Sequence, residues 1–467
     1  MSCWLRLLGL SLLAGIAGCA MGPDFEQPIV PEPEEYRVEM PAGESIANTD
    51  WFELFGDENL NSLIVVALEE NKDLLTAIAR IEEARASLGF VRADQFPGIG
   101  AQATASRGNL LAGFPGFGIN EQFILGAGLD FEIDLWGKLR RSTESARAQL
   151  LSTVEARNVV LTTLISDVSS TYLLLLDVDS RVEISKQTLS SRSESSRIIQ
   201  ERFDKGTVPL LDLNQAQIEE ADAAASLAAL KREQRQVENQ LNLLIGRNPE
   251  PIIRDRDLSA LGLPMTIPVG LPSSLLQRRP DVRQAEAALA AQTARIGVAK
   301  AQRFPALSLT GLLGFASTDL SDLIDGDSEA WSIGGTLTGP IFDAGRGRSR
   351  VEVERARTEQ ALLQYEKVVI QAFVEVENAL IAIETFSEEL AVRERQVTAA
   401  RSAAKLSRAR YDGGVTSYLE VLESERSKFR TELLESIVRR ERLVALVTLY
   451  RALGGGWNPE ESEAEPK

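Results

Sequence analysis

The sequence predicts a mainly α-helical protein with a membrane β-barrel portion, built by internal duplication. Three observations predict it. Two alternating strands each run straight into a very long helix. The landmarks around them recur at one constant spacing. The strands' apolar faces have no helix free to cover them.

The first strand lies in Gln122–Leu150, QFILGAGLDFEIDLWGKLRRSTESARAQL. Phe123, Leu125, Ala127, Leu129, Phe131 and Ile133 are apolar, and Gly126, Gly128, Asp130, Glu132 and Asp134 stand between them, with Ile124 the exception. Period two is a strand with one greasy and one polar face. After Trp136-Gly137-Lys138 the period turns helical and stays so. The second copy is Trp331–Arg350: Trp331, Ile333, Leu337 and Ile341 share a parity, and Ala344-Gly345-Arg346 opens the next long helix.

Gly137 and Gly345 are 345 − 137 = 208 positions apart. The same offset carries Asp73 to Asp281, Phe96-Pro97 to Phe304-Pro305 and Phe203-Asp204 to Tyr411-Asp412. It also carries Gly206 to Gly414 and Leu244-Ile245-Gly246 to Ala452-Leu453-Gly454. Single matches arise by chance. A shared offset at every element boundary marks a duplication.

Composition removes several function classes. The chain of 467 residues is 44% hydrophobic and 25% charged, and its balance of 50 basic and 68 acidic residues gives −18. Nothing basic is clustered enough to neutralise phosphates, so nucleic acid is not an expected partner. With 0 His, Ser-His-Asp and Cys-His catalysis and His-ligated metal sites are excluded. No metal and no cofactor are expected.

Residues 1–18 read as a secretory signal, with Arg6 as a thin basic region and Leu7–Ile16 as an apolar run too short to span a bilayer. Ile16-Ala17-Gly18-Cys19 looks like the bacterial lipobox. That likeness implies cleavage before Cys19 and lipidation of its thiol, and Ala20 after it implies the outer membrane; a plain signal with a chance cysteine is the alternative. Cys3 leaves with the signal, so the mature chain can form no internal disulfide. Residues 19–56 form a lipidated, extended, Pro- and Glu-rich tether.

The first repeat occupies 57–246. Asp57 caps a helix whose apolar positions run from Leu60 to Leu88 and which Pro97 ends. A strand alternates Ile99, Ala101, Ala103 and Ala105 with Gly100, Gln102, Thr104 and Ser106, and 109–120 is a Gly-rich loop. The Gln122 strand follows, then a helix from about Lys138 to Phe203. Its apolar residues Leu150, Val154, Leu161, Leu164, Val168, Leu175, Val178, Val182 and Leu189 keep a coiled-coil period. Such a helix is roughly 100 Å long, too long for a compact domain. Gly206, Thr207 and Pro209 turn the chain back into a shorter helix, Leu210 to Ile245. Residues 247–272 link the halves. The second repeat, 273–454, has a helix to about Arg303, a strand around Leu307–Phe315 and an acidic loop, Ser317–Glu329. The Trp331 strand, a helix to about Arg410, the turn Tyr411-Asp412-Gly413-Gly414 and a helix to about Leu453 complete it. Residues 455–467 are a polar tail.

Four strands of about ten residues, apolar out and polar in, suit an outer-membrane barrel. Four cannot close one, and lipid forbids an open edge. The chain must therefore share a barrel. Two chains would give eight strands and a filled interior, and three would give twelve and a lumen. Gly, Ser, Thr and Gln at the even positions fit a wet interior.

On these residues the chain resembles the TolC family of outer-membrane channels, in particular the lipoprotein branch that serves resistance–nodulation–division pumps. The match is carried by the lipobox at Cys19, by Trp51-Phe52-Glu53-Leu54-Phe55-Gly56-Asp57 and by Leu63–Leu74, LIVVALEENKDL. Arg278-Arg279-Pro280-Asp281-Val282 and Tyr411-Asp412-Gly413-Gly414-Val415 extend it over the whole mature chain. Phe52 departs from the family's usual second Trp. The resemblance implies a homotrimer, with a twelve-strand barrel over a twelve-helix periplasmic tunnel. It also implies partners: a periplasmic adaptor (membrane fusion) protein, an inner-membrane pump and outer-membrane lipid.

The family closes its tunnel at the tip, so the expected gate residues are the tip acids Asp204, Asp212, Asp412, Glu420 and Glu423, with Gly206, Gly413 and Gly414 in the turns. Glu420 and Glu423 share a helix face, and the spacing resembles the family's acidic aperture residues, which are Asp rather than Glu. Three copies would ring the pore with carboxylate. Ser417-Tyr418-Leu419-Glu420 also fits a capping box, so Glu420 reads as ring or as cap. Asp130, Glu132 and Asp134 read either as the lining of the barrel base or as the place where the strand leaves the membrane. Gly345-Arg346-Gly347-Arg348 lacks the ending of a phosphate loop. The expected function is a passive exit duct for small amphiphilic compounds; a duct for type I protein secretion and a structural trimeric coiled-coil lipoprotein are the alternatives, and an enzyme is not expected.

Overall fold

The computed structural model describes residues 20–31, 33, 36–38, 45–46, 56–108, 120–262 and 278–455. The signal peptide, Cys19, Trp51–Phe55, the 109–119 loop, 263–277 and the tail from 456 lie outside the described residues. The elements are α1 (Glu58–Glu70), α2 (Lys72–Ala93), β1 (Gly98–Gly108), β2 (Asn120–Ile133), α3 (Lys138–Asp204) and α4 (Leu210–Leu244). Then come α5 (Pro280–Ala301), β3 (Ala306–Ser317), β4 (Glu329–Thr338), α6 (Arg346–Asp412) and α7 (Tyr418–Ala452).

The duplication holds to the residue in the helices. Moving α2, α3 and α4 by 208 positions gives the bounds of α5, α6 and α7, with lengths of 22, 67 and 35 residues. Six of the positive-φ glycines fall into pairs with the same offset: Gly137 and Gly345, Gly206 and Gly414, Gly246 and Gly454. Each ends or begins a helix where an L side chain is disfavoured.

The chain divides into two compact units. One comprises Met1–Val30, Ala79–Glu155 and Arg283–Lys367. It holds an antiparallel meander ordered β1-β2-β3-β4. Register pairs odd residues with odd throughout: Ala101 with Ala127, Ala127 with Leu313, and Leu313 with Trp331. All four apolar faces therefore merge into one, and it is bare: Trp331 is 75% and Ile333 81% exposed. The outer edges of β1 and β4 have no partner in the described sheet. A Cβ on Gly126 or Gly314, which face each other, would lie 2.6 or 2.2 Å from the opposite strand's backbone oxygen. These two glycines allow the strands to coil closely there.

The other unit comprises Pro31–Ile78, Ala156–Val282 and Val368–Lys467. Its core gathers Leu60, Ile64, Val168, Leu175, Leu241 and Leu443. Along α3 the predicted seam is buried at Leu164, Val168, Leu175, Val178 and Val182. Asp57 caps α1 as its sequence position suggests, accepting from Asn59 N at 2.9 Å and Leu60 N at 3.0 Å, and Tyr172 donates to its carboxylate at 3.3 Å.

The helix expected to run unbroken from Asp57 to Pro97 is two helices. Asn71, at ψ 127°, ends α1; its side-chain oxygen accepts from Asp73 N and Leu74 N at 2.9 Å and so starts α2. Its amide donates to Leu244 O at 2.8 Å. The second repeat makes the equivalent contact with a different side chain: Arg279 donates to Ala452 O at 3.0 Å.

Candidate functional site: the helical tip and the strand wall

At the tip, α3 turns into α4 and α6 into α7. Gly206 (φ 70°) and Gly414 (φ 69°) take the left-handed conformation. Gly206 N donates to Phe203 O at 2.8 Å and Thr207 N to Arg202 O at 2.9 Å; Gly414 N and Val415 N repeat the pair onto Tyr411 O and Arg410 O. These paired hydrogen bonds satisfy carbonyls that a helix end leaves free. Gly413 needs no positive φ.

The tip acids divide into two groups. Asp412 is 3.6 Å from both Arg202 and Arg408, and the Arg202 guanidinium lies 5.2 Å over the Tyr411 ring. Glu420 is 3.4 Å from Arg410 and accepts from the Thr416 hydroxyl. The capping box does not form, because Ser417 makes no side-chain bond to α7 and the Glu420 carboxylate is held by Thr416 and Arg410 instead. Among the described residues, Asp204 takes a side-chain bond from Gln200 at 2.9 Å and makes no ion pair. Asp212 and the exposed Glu423 make no ion pair among the described residues. The structure thus brings Asp412 and Glu420 onto arginines and leaves Asp204, Asp212 and Glu423 off them.

Sequence reading missed the cations. Arg202-Phe203-Asp204 and Arg410-Tyr411-Asp412 are one motif at the 208 offset, and Arg202 reaches the acid of the other copy. The shared offset was the available signal. Deeper in the bundle, Arg192 and Glu219 are both buried and pair at 2.9 Å, and Arg426 closes on the same carboxylate. Burial, then the field of Glu425, pushes the Tyr418 hydroxyl up to about 12. Burial also raises the Glu425 carboxyl despite Arg408 and Arg192 nearby.

On the sheet, the even face carries the rows Gln102–Gly126–Gly314–Ala330, Gly100–Gly128–Leu312–Ser332 and Gly98–Asp130–Thr310–Gly334. It is half glycine, with Gln102, Asp130, Thr310 and Ser332 as its polar side chains and Leu312 as its large apolar one, a wall that offers a lumen little obstruction. Of the three acids at the strand foot, Glu132 pairs with Lys138 at 2.6 Å and Asp134 accepts from Arg140 N at 2.9 Å. Those two fix the strand-to-helix junction. At the second junction Asp343 accepts from Gly345 N at 3.0 Å and Gly347 N at 2.7 Å, and these bonds hold its carboxyl below the usual range. With Arg346 N on Asp343 O, the amides of Gly345, Arg346 and Gly347 are already used and are not open to a phosphate.

A coaligned apolar sheet whose outer edges are unpaired among the described residues, a glycine-rich even face and two hairpins of very long helices are the features of a membrane channel. The family model described as outer membrane efflux protein matches residues 63–247 and 271–455, and the chain belongs to that family. Over 454 residues it is 35% identical to outer membrane protein OprJ of Pseudomonas aeruginosa, covering 96% of this chain and 95% of that one. To cation efflux system protein CusC of Escherichia coli K12 it is 31% identical over 459 residues, covering 97% and 99%. The solved structure of a membrane protein from Pseudomonas aeruginosa aligns at a TM-score of 0.87 and 34% identity, over 93% of this chain and 100% of that one. The protein is an outer-membrane channel component of an efflux system, and the family's members are ducts.

Proposed function

We propose that the chain is the passive exit duct for small amphiphilic compounds in a tripartite system, acting as a homotrimer with a periplasmic adaptor and an inner-membrane resistance–nodulation–division pump. The observation that carries this reading is the sheet: one continuous apolar face and two unpaired edges require other copies to close a barrel in lipid. Three copies supply twelve strands, enough to leave a lumen. Metal ions as cargo, suggested by the name of CusC, fit less well, because 0 His and 4 Met leave few soft ligands. The lipid on Cys19 adds an anchor and supplies no chemistry.

The gate is the tip. Asp412 and Glu420, held by Arg202, Arg408 and Arg410, tie the α3–α4 and α6–α7 turns, and Glu423, Asp212 and Asp204 add carboxylate around the aperture. Native mass measurement in mild detergent should give three chains, and planar bilayers should show a cation-preferring conductance that trivalent cations block from the periplasmic side. Glu420→Gln with Glu423→Gln should relieve that block; an unchanged block moves the ring to Asp204, Asp212 and Asp412. A stable conducting monomer would overturn the shared barrel. Deletion of the gene should sensitise cells to toxic amphiphiles, and a loss confined to secreted proteins would select the type I secretion reading instead.

A further inference from the structure

A cavity of about 520 Å³ opens between α3, α6 and α7, on the tip side of the bundle. Five cations line it: Arg192 from α3, Arg401, Lys405 and Arg408 from α6, and Lys428 from α7. Only two acids, Glu425 and Glu432, share the wall. Arg401 occupies Glu432 at 2.7 Å, and Glu425 stands 3.9 Å from Arg408. Lys405 and Lys428 have no ion pair within 4.0 Å among the described residues. Arg408 also faces Asp412 and Arg192 faces Glu219, so the cations left over are the two lysines, in a chain that carries −18 overall.

Arg192 adds a buried guanidinium to the same wall. It is 5% exposed, and its guanidinium sits 5.4 Å over the Phe429 ring. Glu219 takes Nη1 through both its carboxylate and its carbonyl at 2.9 Å, but Nε is buried with no hydrogen-bond partner. A buried, unused donor on a charged group is costly to leave empty.

We infer that this cavity binds a phosphate- or sulfate-type oxyanion, free or carried on a small organic molecule. A tetrahedral oxyanion offers several acceptors to the cations of this wall, and its bonds to Lys and Arg are charge-assisted. Phe429 supplies an apolar wall for an organic remainder. Once seated, the anion joins α6 to α3 and α7 and opposes their separation. The site does not depend on the transport reading, since binding and conductance are measured separately.

The test uses the full-length protein in detergent micelles, titrated with inorganic phosphate at constant ionic strength against chloride. Phosphate should bind saturably and raise the apparent melting temperature. The Lys405→Gln/Lys428→Gln variant should weaken phosphate binding by about tenfold or more, a loss of at least about 1.4 kcal/mol of binding free energy. Phosphate should also slow labelling of Lys405→Cys by an anionic thiol reagent. No saturable phosphate binding, or equal binding by the double variant, overturns the proposal. So does a Lys405→Cys thiol that is unreactive in the intact assembly, which would mean that a second copy's carboxylates fill the cavity.

Discussion

Replacing one glycine with alanine should have opposite effects in the two repeats. Gly89 in α2 and Gly297 in α5 are equivalent at the 208 offset. Both lie inside helices, where alanine gains about 1 kcal/mol over glycine. At Gly89 an added Cβ meets nothing within 4 Å. At Gly297 it would stand 2.3 Å from Met21 O and 2.8 Å from Arg141 Cγ, and Gly22 lies against the same spot. The segment just beyond Cys19 is laid across this helix, and Met21 N bonds Trp136 O at 3.1 Å. Buried Arg141 holds it by donating to Met21 O at 3.2 Å and to Asp24 at 2.6 Å.

Gly297→Ala therefore sets a helix gain of about 1 kcal/mol against overpacking of about 1–3 kcal/mol. Releasing the segment would further cost Arg141 bonds worth about 1.5–3 kcal/mol to charged groups. The losses win, and they fall on the N-terminal segment. Hydrogen-exchange mass spectrometry in detergent should show protection of residues 20–24 falling about tenfold for each 1.4 kcal/mol lost. Gly89→Ala should leave that protection unchanged and melt at or above the parent. A Gly297→Ala protein with full protection of the segment, melting no lower than Gly89→Ala, would refute the slot.

Three further outcomes are expected. Asn71→Ala removes the start of α2 and the bond to Leu244 O, and should destabilise the protein by about 1–3 kcal/mol in denaturant titration; Asn71→Asp keeps the cap but turns a carboxylate oxygen onto Leu244 O, so it should not restore the parent's stability. Arg202→Ala with Asp412→Ala should raise resting conductance in bilayers while leaving the unfolding free energy within about 1 kcal/mol of the parent, because the pair is partly exposed; an unaltered resting current would detach this pair from the gate. Burial raises the Asp177 carboxyl despite its bonds to Ser436, Arg181 and Arg440, so the folded state holds that proton to higher pH than the unfolded chain. Its contribution to stability is greatest below about pH 4 and falls as pH rises through the folded value. Asp177→Asn should flatten that fall; a difference curve of the opposite slope would reverse the assignment.

The frame was legible in the sequence because it rests on periodicity and on glycine. Period two exposed β2 and β4, near-heptad spacing exposed α3, and the recurring Gly137, Gly206 and Gly246 located the ends of helices. The break at Asn71 was not read, because the apolar spacing runs through it and only a tertiary partner, Leu244 O, fixes the polar side chain there. The tip acids were found by position, but their arginine partners were not. Ion pairing depends on which helix faces which, and a one-dimensional pattern does not state that. The 109–119 loop and the Cys19 lipid site lie outside the described residues.

The duplication explains where single-repeat reasoning fails. The backbone frame repeats, but the contacts cross. Arg202 of the first turn meets Asp412 of the second, not its own Asp204. Asn71 and Arg279 reach equivalent carbonyls, one with a neutral amide and the other with a guanidinium that also pairs with Asp281 and Glu375. Gly89 stands open while Gly297 holds the N-terminal segment. A duplicated chain that also carries one unrepeated leader must break its symmetry where the leader docks. Substitutions at frame positions such as Gly206 and Gly414 should therefore act alike in both repeats, and substitutions at contact positions should not.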